Sequence, residues 1–181
     1  MSEEMEVLKT VTGQLASAGI PYMITGSIAC NFYTVPRMTR DIDIVVELSE
    51  RDVDRIVEQF QNEFYIDSEM VQRAITGKGM FNIIHHAFVI KVDFVVRKDT
   101  EYRRKEFSRR RPVSADGHEI FIVAPEDLIL SKLDWAKESL SEVQLNDVRN
   151  LLDSVEGLDR DYLAHWSNRL GLATLYRQVS E

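Results

Sequence analysis

The sequence is short of the residues that mark several classes of protein. One cysteine, Cys30, in 181 residues excludes an intrachain disulfide framework. His85, His86, His118 and His165 have no spacing that would build a zinc site with it. Eight glycines and four prolines are too few for a fibrous repeat or a disordered linker. No apolar run approaches the ~18 residues that span a bilayer, and the opening Met1-Ser2-Glu3-Glu4 is acidic where a secretory leader is basic. The expected location is the cytoplasm, with no membrane partner. A basic excess is missing too. With 22 Lys and Arg against 30 Asp and Glu the net charge is −8, which argues against a protein that coats DNA.

What is present suffices for a core, since 44% of residues are hydrophobic and 29% charged. Met5, Leu8, Val11, Leu15 and Ala18 recur at helical spacing until Gly19. Tyr22 to Ile24 predicts a strand, Thr25-Gly26-Ser27 a turn, and Ile28 to Tyr33 a short helix that Pro36 breaks. Ile42, Ile44 and Val46 alternate along a strand, and Val53, Ile56, Val57 and Phe60 mark a helix that Ser49 could cap. After a short strand at Phe64 to Ile66, a helix through Met70, Val71, Ala74 and Ile75 is expected to stop at Gly77 and Gly79. Met80 to Ile84 and Val89 to Val96 predict one hairpin, and Asp116-Gly117 turns a second. From Pro125 onward the pattern is helical, with Ile129, Leu133, Ala136 and Leu140 on one face. The class is therefore α+β: a mixed sheet flanked by helices over residues 1–123, with a helical part packed on it over 124–181.

The chemistry concentrates in Thr25-Gly26-Ser27, thirteen intervening residues, and Asp41-Ile42-Asp43. Aspartates at i and i+2 of a strand share a face, close enough to share a hard cation. A Gly-Ser turn entering a helix offers backbone N–H groups, a hydroxyl and the positive end of the helix dipole, all suited to phosphate. Asp93, within Lys91-Val92-Asp93-Phe94-Val95-Val96, is an acid in an apolar strand and needs a partner, since burying an unpaired charge is costly. Beside the Asp41 strand it would complete a three-carboxylate site and could take a proton from an acceptor hydroxyl.

Ile24-Thr25-Gly26-Ser27, Asp41-Ile42-Asp43 and Asp93 resemble the pattern of the DNA polymerase beta-type nucleotidyltransferase superfamily. Within it the chain looks most like small stand-alone proteins related to the AbiEii toxin. That likeness rests on Arg37 shortly before the acid pair, and on Pro125-Glu126-Asp127-Leu128 followed by Lys132. The resemblance implies a nucleotidyltransferase fold and transfer of a nucleoside monophosphate from an NTP to an acceptor, with release of pyrophosphate. It implies that Asp41, Asp43 and Asp93 bind magnesium or manganese, and that Gly26 and Ser27 hold the β and γ phosphates. Arg37, Arg40 and Lys132 would contact nucleotide, with Asp147 as a further carry-over. RNA, a protein or a small molecule would be the acceptor, and a cognate antitoxin a partner. The stretch Ser27-Ile28-Ala29-Cys30-Asn31-Phe32-Tyr33 lacks the Arg and Gly of antitoxin-type relatives. The alternative from another class is a catalytically silent nucleotide- or protein-binding module of the same fold.

Each signal has a plainer reading. Gly26-Ser27 could be only a turn, and Asp41 and Asp43 only charges that protect an edge strand. Lys132 could snorkel from a packed face, Arg37 and Arg40 could pair with acids such as Glu47, and Cys30 is most simply a small buried hydrophobe. Arg97 to Arg111 holds eight basic and three acidic residues, net +5, leaving −13 elsewhere. That window would steer an RNA acceptor, unless its arginines pair with the acids of the rest of the chain.

Overall fold

The structure, a computed structural model, describes residues 2–39, 41–139 and 141–180, the Glu138 side chain excepted. Arg40 and Leu140, both singled out by the sequence, lie outside the described residues. Helix α1 (Glu3–Ser17) starts at Ser2, whose hydroxyl accepts the Met5 N–H, and buries Val7, Leu8, Val11 and Leu15. It gives way to Gly19 in the left-handed region. Strand β1 (Tyr22–Thr25) runs directly into α2 (Gly26–Tyr33), and β2 (Asp41–Val46) follows. A 3-10 turn at Glu50–Asp52, closed by a reciprocal Ser49–Asp52 capping box, leads into α3 (Val53–Phe60). Then come β3 (Phe64–Tyr65), α4 (Ser68–Gly77), β4 (Met80–His85), β5 (Lys91–Val96), α5 (Glu101–Ser108), β6 (Arg111–Ala115) and β7 (His118–Ile122). The remainder is helical: α6 (Pro125–Ser139), α7 (Glu142–Ser154), α8 (Arg160–Arg169) and α9 (Ala173–Ser180).

Among the described residues the strands form one mixed sheet in the order β3-β4-β5-β2-β1-β7-β6. The β1/β7 and β2/β5 pairs are parallel and the others antiparallel. The β6–β7 hairpin turns on Asp116 (φ 47°) and Gly117 (φ 78°), the two left-handed residues that the Asp-Gly pair predicts. The α4 helix departs from expectation. Gly77 is its last residue, and Lys78 takes the left-handed cap at φ 49°.

Alternation in β2 and β5 decides where the core ends. Ile42, Ile44, Val46, Val92, Phe94 and Val96 are wholly buried on one face. Phe94 there meets Phe60 of α3 and Phe81 of β4, with ring centroids 5.7 and 5.0 Å apart. Burying side chains of this size contributes roughly 1.5–3 kcal/mol each. The opposite face carries Asp41, Asp43, Lys91 and Asp93. On the C-terminal side, Leu128, Ile129, Leu133 and Ala136 of α6 are buried where that helix packs on α2, α7 and α8. That packing delivers Lys132 and Asp147 to the start of α2.

Candidate active site

The strand-to-helix turn has no spare residue. Thr25 ends β1 and Gly26 begins α2 at φ +64°, a backbone that suits glycine. Space demands glycine as well. A β-carbon at Gly26 would lie 2.1 Å from the Asp43 Oδ2 and 2.8 Å from its Cγ, so the Asp43 carboxylate rests against the backbone at the positive end of α2.

Asp43 stands across from Asp93, and Asp41 across from Lys91, in the parallel β2/β5 register. The four side chains form a quadrilateral of three acids and one ammonium on one face of the sheet. Lys91 Nζ is 2.6 Å from the Asp93 Oδ2 and 3.9 Å from the Asp41 Oδ1. Asp43 has no ion pair or hydrogen bond among the described residues. Burial first, then the fields of Asp93 and Asp41, push its carboxyl from 3.8 up to about 6, against the opposing fields of Lys132 and Lys91. The hydrogen bond to Asp93 in turn holds the Lys91 ammonium above its ordinary range.

A second arm closes over the α2 N-terminus. Arg37 donates from Nη2 to the Ser27 Oγ (2.8 Å) and to the Asp147 Oδ2 (2.9 Å), and from Nε to the Asp147 Oδ1 (3.2 Å). Lys132, almost wholly buried, donates to the same Asp147 Oδ2 (2.7 Å) and to the Gln144 Oε1 (3.1 Å). The loop that presents Arg37 is pinned by Asn31. Its Nδ2 donates to the Arg37 carbonyl (2.8 Å), and its Oδ1 accepts the Arg37 N–H (3.0 Å). Burial pushes the Asp147 carboxyl up, but the hydrogen bonds from Arg37 and Lys132 outweigh it and leave the group below its ordinary range.

The structure chooses among the readings that the sequence leaves open. Arg37 pairs with Asp147, while Glu47 is taken by Arg97 at 2.9 Å. Lys132 does not snorkel to solvent, because Asp147 holds its ammonium inside. Cys30 is a buried small side chain of α2. The three aspartates share one face, but among the described residues no group of three or more His, Cys, Asp or Glu is arranged to hold a metal ion. The Lys91 ammonium contacts both Asp93 and Asp41 on that face. The donor set still fits a hard divalent cation in kind, being all carboxylate oxygen on a face that draws a cation now.

In the basic window the arginines follow the pairing alternative. Arg109 pairs with Glu126 and Asp127, both at 2.8 Å, and Arg103 with Glu106 at 2.9 Å and Asp134 at 3.3 Å. Arg104 pairs with Asp99 at 2.9 Å, Arg111 reaches Glu126 at 3.9 Å, and Arg110 lies over the Phe107 ring at 4.4 Å. Arg103, Arg109 and Arg111 thereby tie α5 and β6 to α6. Lys91 and Gln144 are the residues of the site that sequence reasoning passed over. Lys91 had a signal, its i, i+2 spacing to Asp93 on a strand; Gln144 had none.

No protein-family profile matches the chain, and no curated protein matches it in sequence. Solved structures do. The lincosamide antibiotic adenylyltransferase LnuA, with lincomycin bound, aligns at a TM-score of 0.57 and 11% identity over 86% of this chain and 99% of its own. The antibiotic-resistance factor ANT(2'')-Ia in solution aligns at 0.64 and 12% identity over 97% of both chains. An antigenic nucleotidyltransferase-like protein from Paracoccidioides brasiliensis aligns at 0.57 and 15% identity over 84% of this chain and 77% of its own. This chain has the nucleotidyltransferase fold. At such identities the likeness speaks for the fold, and the chemistry has to be argued from the side chains.

Proposed function

We propose that the protein is a magnesium- or manganese-dependent nucleotidyltransferase that moves a nucleoside monophosphate from an NTP to a hydroxyl of a small molecule. The observation that carries this reading is the Asp43 carboxylate seated against Gly26. It puts a cation-seeking acid and a phosphate-seeking helix start in direct contact. A bound divalent ion would supply charge neutralisation of the triphosphate, and Asp41, Asp43 and Asp93 are the residues to hold it. Gly26 and Ser27 offer backbone N–H groups and a hydroxyl to the β and γ phosphates. Arg37, freed from Ser27, and Lys132 bring positive charge to the same end of α2, and Asp147 keeps both oriented. That these three meet also supports the toxin-like resemblance on the nucleotide side. In the transfer, the acceptor oxygen bonds to the α phosphorus, the bond to the bridging oxygen breaks, and pyrophosphate leaves. The acceptor proton passes to Asp93.

The small acceptor is favoured by the arginine window, where Arg103 and Arg109 are committed to Glu106, Glu126, Asp127 and Asp134. The neighbouring adenylyltransferase structures, one holding lincomycin and one adenylyl-2''-tobramycin, are consistent with that class. One observation favours the silent binding module: Lys91 already sits on Asp93. Incubation with each labelled NTP, magnesium, and either hydroxyl-rich small molecules or total RNA and protein separates these readings. Label on a small product that is lost in Asp93→Ala supports the proposal. Label on RNA or protein restores the toxin-like acceptor and the search for an antitoxin, and no transfer at all leaves the binding module.

A further inference from the structure

Lys91 is the one residue of the acidic quadrilateral whose charge opposes the ligand proposed for it. It lies across from Asp41 and two residues before Asp93, so the carboxylates of Asp93 and Asp41 lie within ion-pair distance of its ammonium while that of Asp43 does not. Its side chain is 42% exposed, whereas that of Asp93 is 14% exposed. The lysine can therefore swing into solvent and the aspartate cannot follow. We infer that Lys91 is a resident cation of this face: it neutralises Asp93 and Asp41 in the metal-free protein and is displaced when a divalent ion binds there.

The inference rests on the proposed metal-dependent transfer but says something separate about it, namely that the acids are kept in a metal-exclusive state by a side chain. Two cations cannot share one carboxylate oxygen at contact distance without strong repulsion. Metal affinity is accordingly lowered by whatever Lys91 gains from Asp93, a coupling that in other two-site systems amounts to ~5–150-fold. A consequence is that free metal alone binds weakly, and that the triphosphate, which brings its own metal and offers the displaced ammonium a new anion, drives the exchange.

The test counts bound manganese by electron paramagnetic resonance, without nucleotide, on wild type, Lys91→Met and Lys91→Arg, after far-ultraviolet circular dichroism has shown each variant folded. Lys91→Met, which keeps most of the unbranched side chain and removes its charge, should bind manganese at least about tenfold more tightly than wild type, within that range of coupling. Lys91→Arg, which keeps the charge, should stay close to wild type. Equal affinity in wild type and Lys91→Met, or equally tight binding in Lys91→Arg and Lys91→Met, overturns the inference while leaving the metal-dependent reading in place. Should neither wild type nor Lys91→Met bind manganese, with or without ATP, the metal site and the inference fall together.

Discussion

Two charged clusters in this molecule are built from the same residue types to opposite ends. Around α5, α6 and α8, Arg103 and Arg109 face Glu106, Glu126, Asp127 and Asp134. Ser131 donates to Glu106 (2.7 Å) and the Tyr162 hydroxyl to Asp127 (2.7 Å). Every one of these acids has a cation in contact, and Glu106, Glu126 and Asp127 are buried. On β2 and β5 one lysine pairs with Asp93 and Asp41, and Asp43 has no ion pair among the described residues. Where charges of both signs meet and close on themselves, the cluster holds helices in place. Where one sign is left in surplus beside a helix N-terminus, the proposed function supplies the missing charge from outside, as a bound cation.

The closed cluster should therefore be the one that is costly to break. Arg109→Met strips the guanidinium from two buried carboxylates and is expected to destabilise by roughly 3–5 kcal/mol, the usual cost of orphaning a buried charge. For a chain of this size that corresponds to a fall in melting temperature of roughly 6–20 °C, at ~2–4 °C per kcal/mol. Denaturant unfolding checks it. A loss below about 1 kcal/mol, the value of a surface pair, would mean that the network is decorative.

Gly26→Ala comes next, since it places a methyl group within the Asp43 carboxylate and forces a left-handed backbone on a residue that resists it. We expect a loss of ~1–3 kcal/mol together with loss of NTP binding. A double-mutant cycle sharpens this. In an Asp43→Ala background the penalty should shrink to the backbone part, and an unchanged penalty would place the clash elsewhere.

The two clusters also differ in how far the sequence exposes them. Asp41, Asp43 and the Gly-Ser turn are local patterns, legible because period 2 and a turn residue fix which way each group faces. The partnership of β2 with β5 enters a sequence reading only as a condition, since parallel pairing across some fifty residues leaves no local trace, and the position of Lys91 depends on it. The Arg37–Asp147 pair joins residues still further apart. The arginine window is left open by the sequence for a related reason. Its charges read as an anion-steering patch or as partners for acids elsewhere in the chain, and Tyr102, Glu106 and Phe107 are all buried. Burial of a charge is decided by its partner, and the partners lie on α6. Lys78 capping α4 is a smaller case, because neighbouring Gly77 and Gly79 drew the expectation to themselves.

The surplus on β2 and β5 predicts a stabilising substitution. In metal-free buffer near neutral pH, Asp43→Asn removes the charge that burial, Asp93 and Asp41 all oppose, and should raise stability by ~1 kcal/mol once solvent screening is allowed for. A destabilised variant would show that Asp43 has an unseen partner and that the surplus is only apparent.

A smaller effect should mark the Arg37–Lys132–Asp147 arm. Asp147 is held below its ordinary range, so its contribution is fully present above the unfolded carboxylate value and is lost as pH falls through the lowered folded value. Wild type should lose stability relative to Asp147→Asn only on acidification below about pH 4, the ordinary carboxylate range. A difference that instead closes between pH 6 and 8 would contradict this assignment.

The most direct measurement of the contrast is the thermal shift caused by magnesium and ATP together, compared across wild type, Asp41→Asn with Asp43→Asn, and Arg109→Lys. If the β2/β5 face is the place where ligand enters, magnesium–ATP raises the melting temperature of wild type and of Arg109→Lys by similar amounts and leaves the double aspartate variant where it was. A shift that survives loss of both aspartates, or one that vanishes in Arg109→Lys alone, would contradict the account.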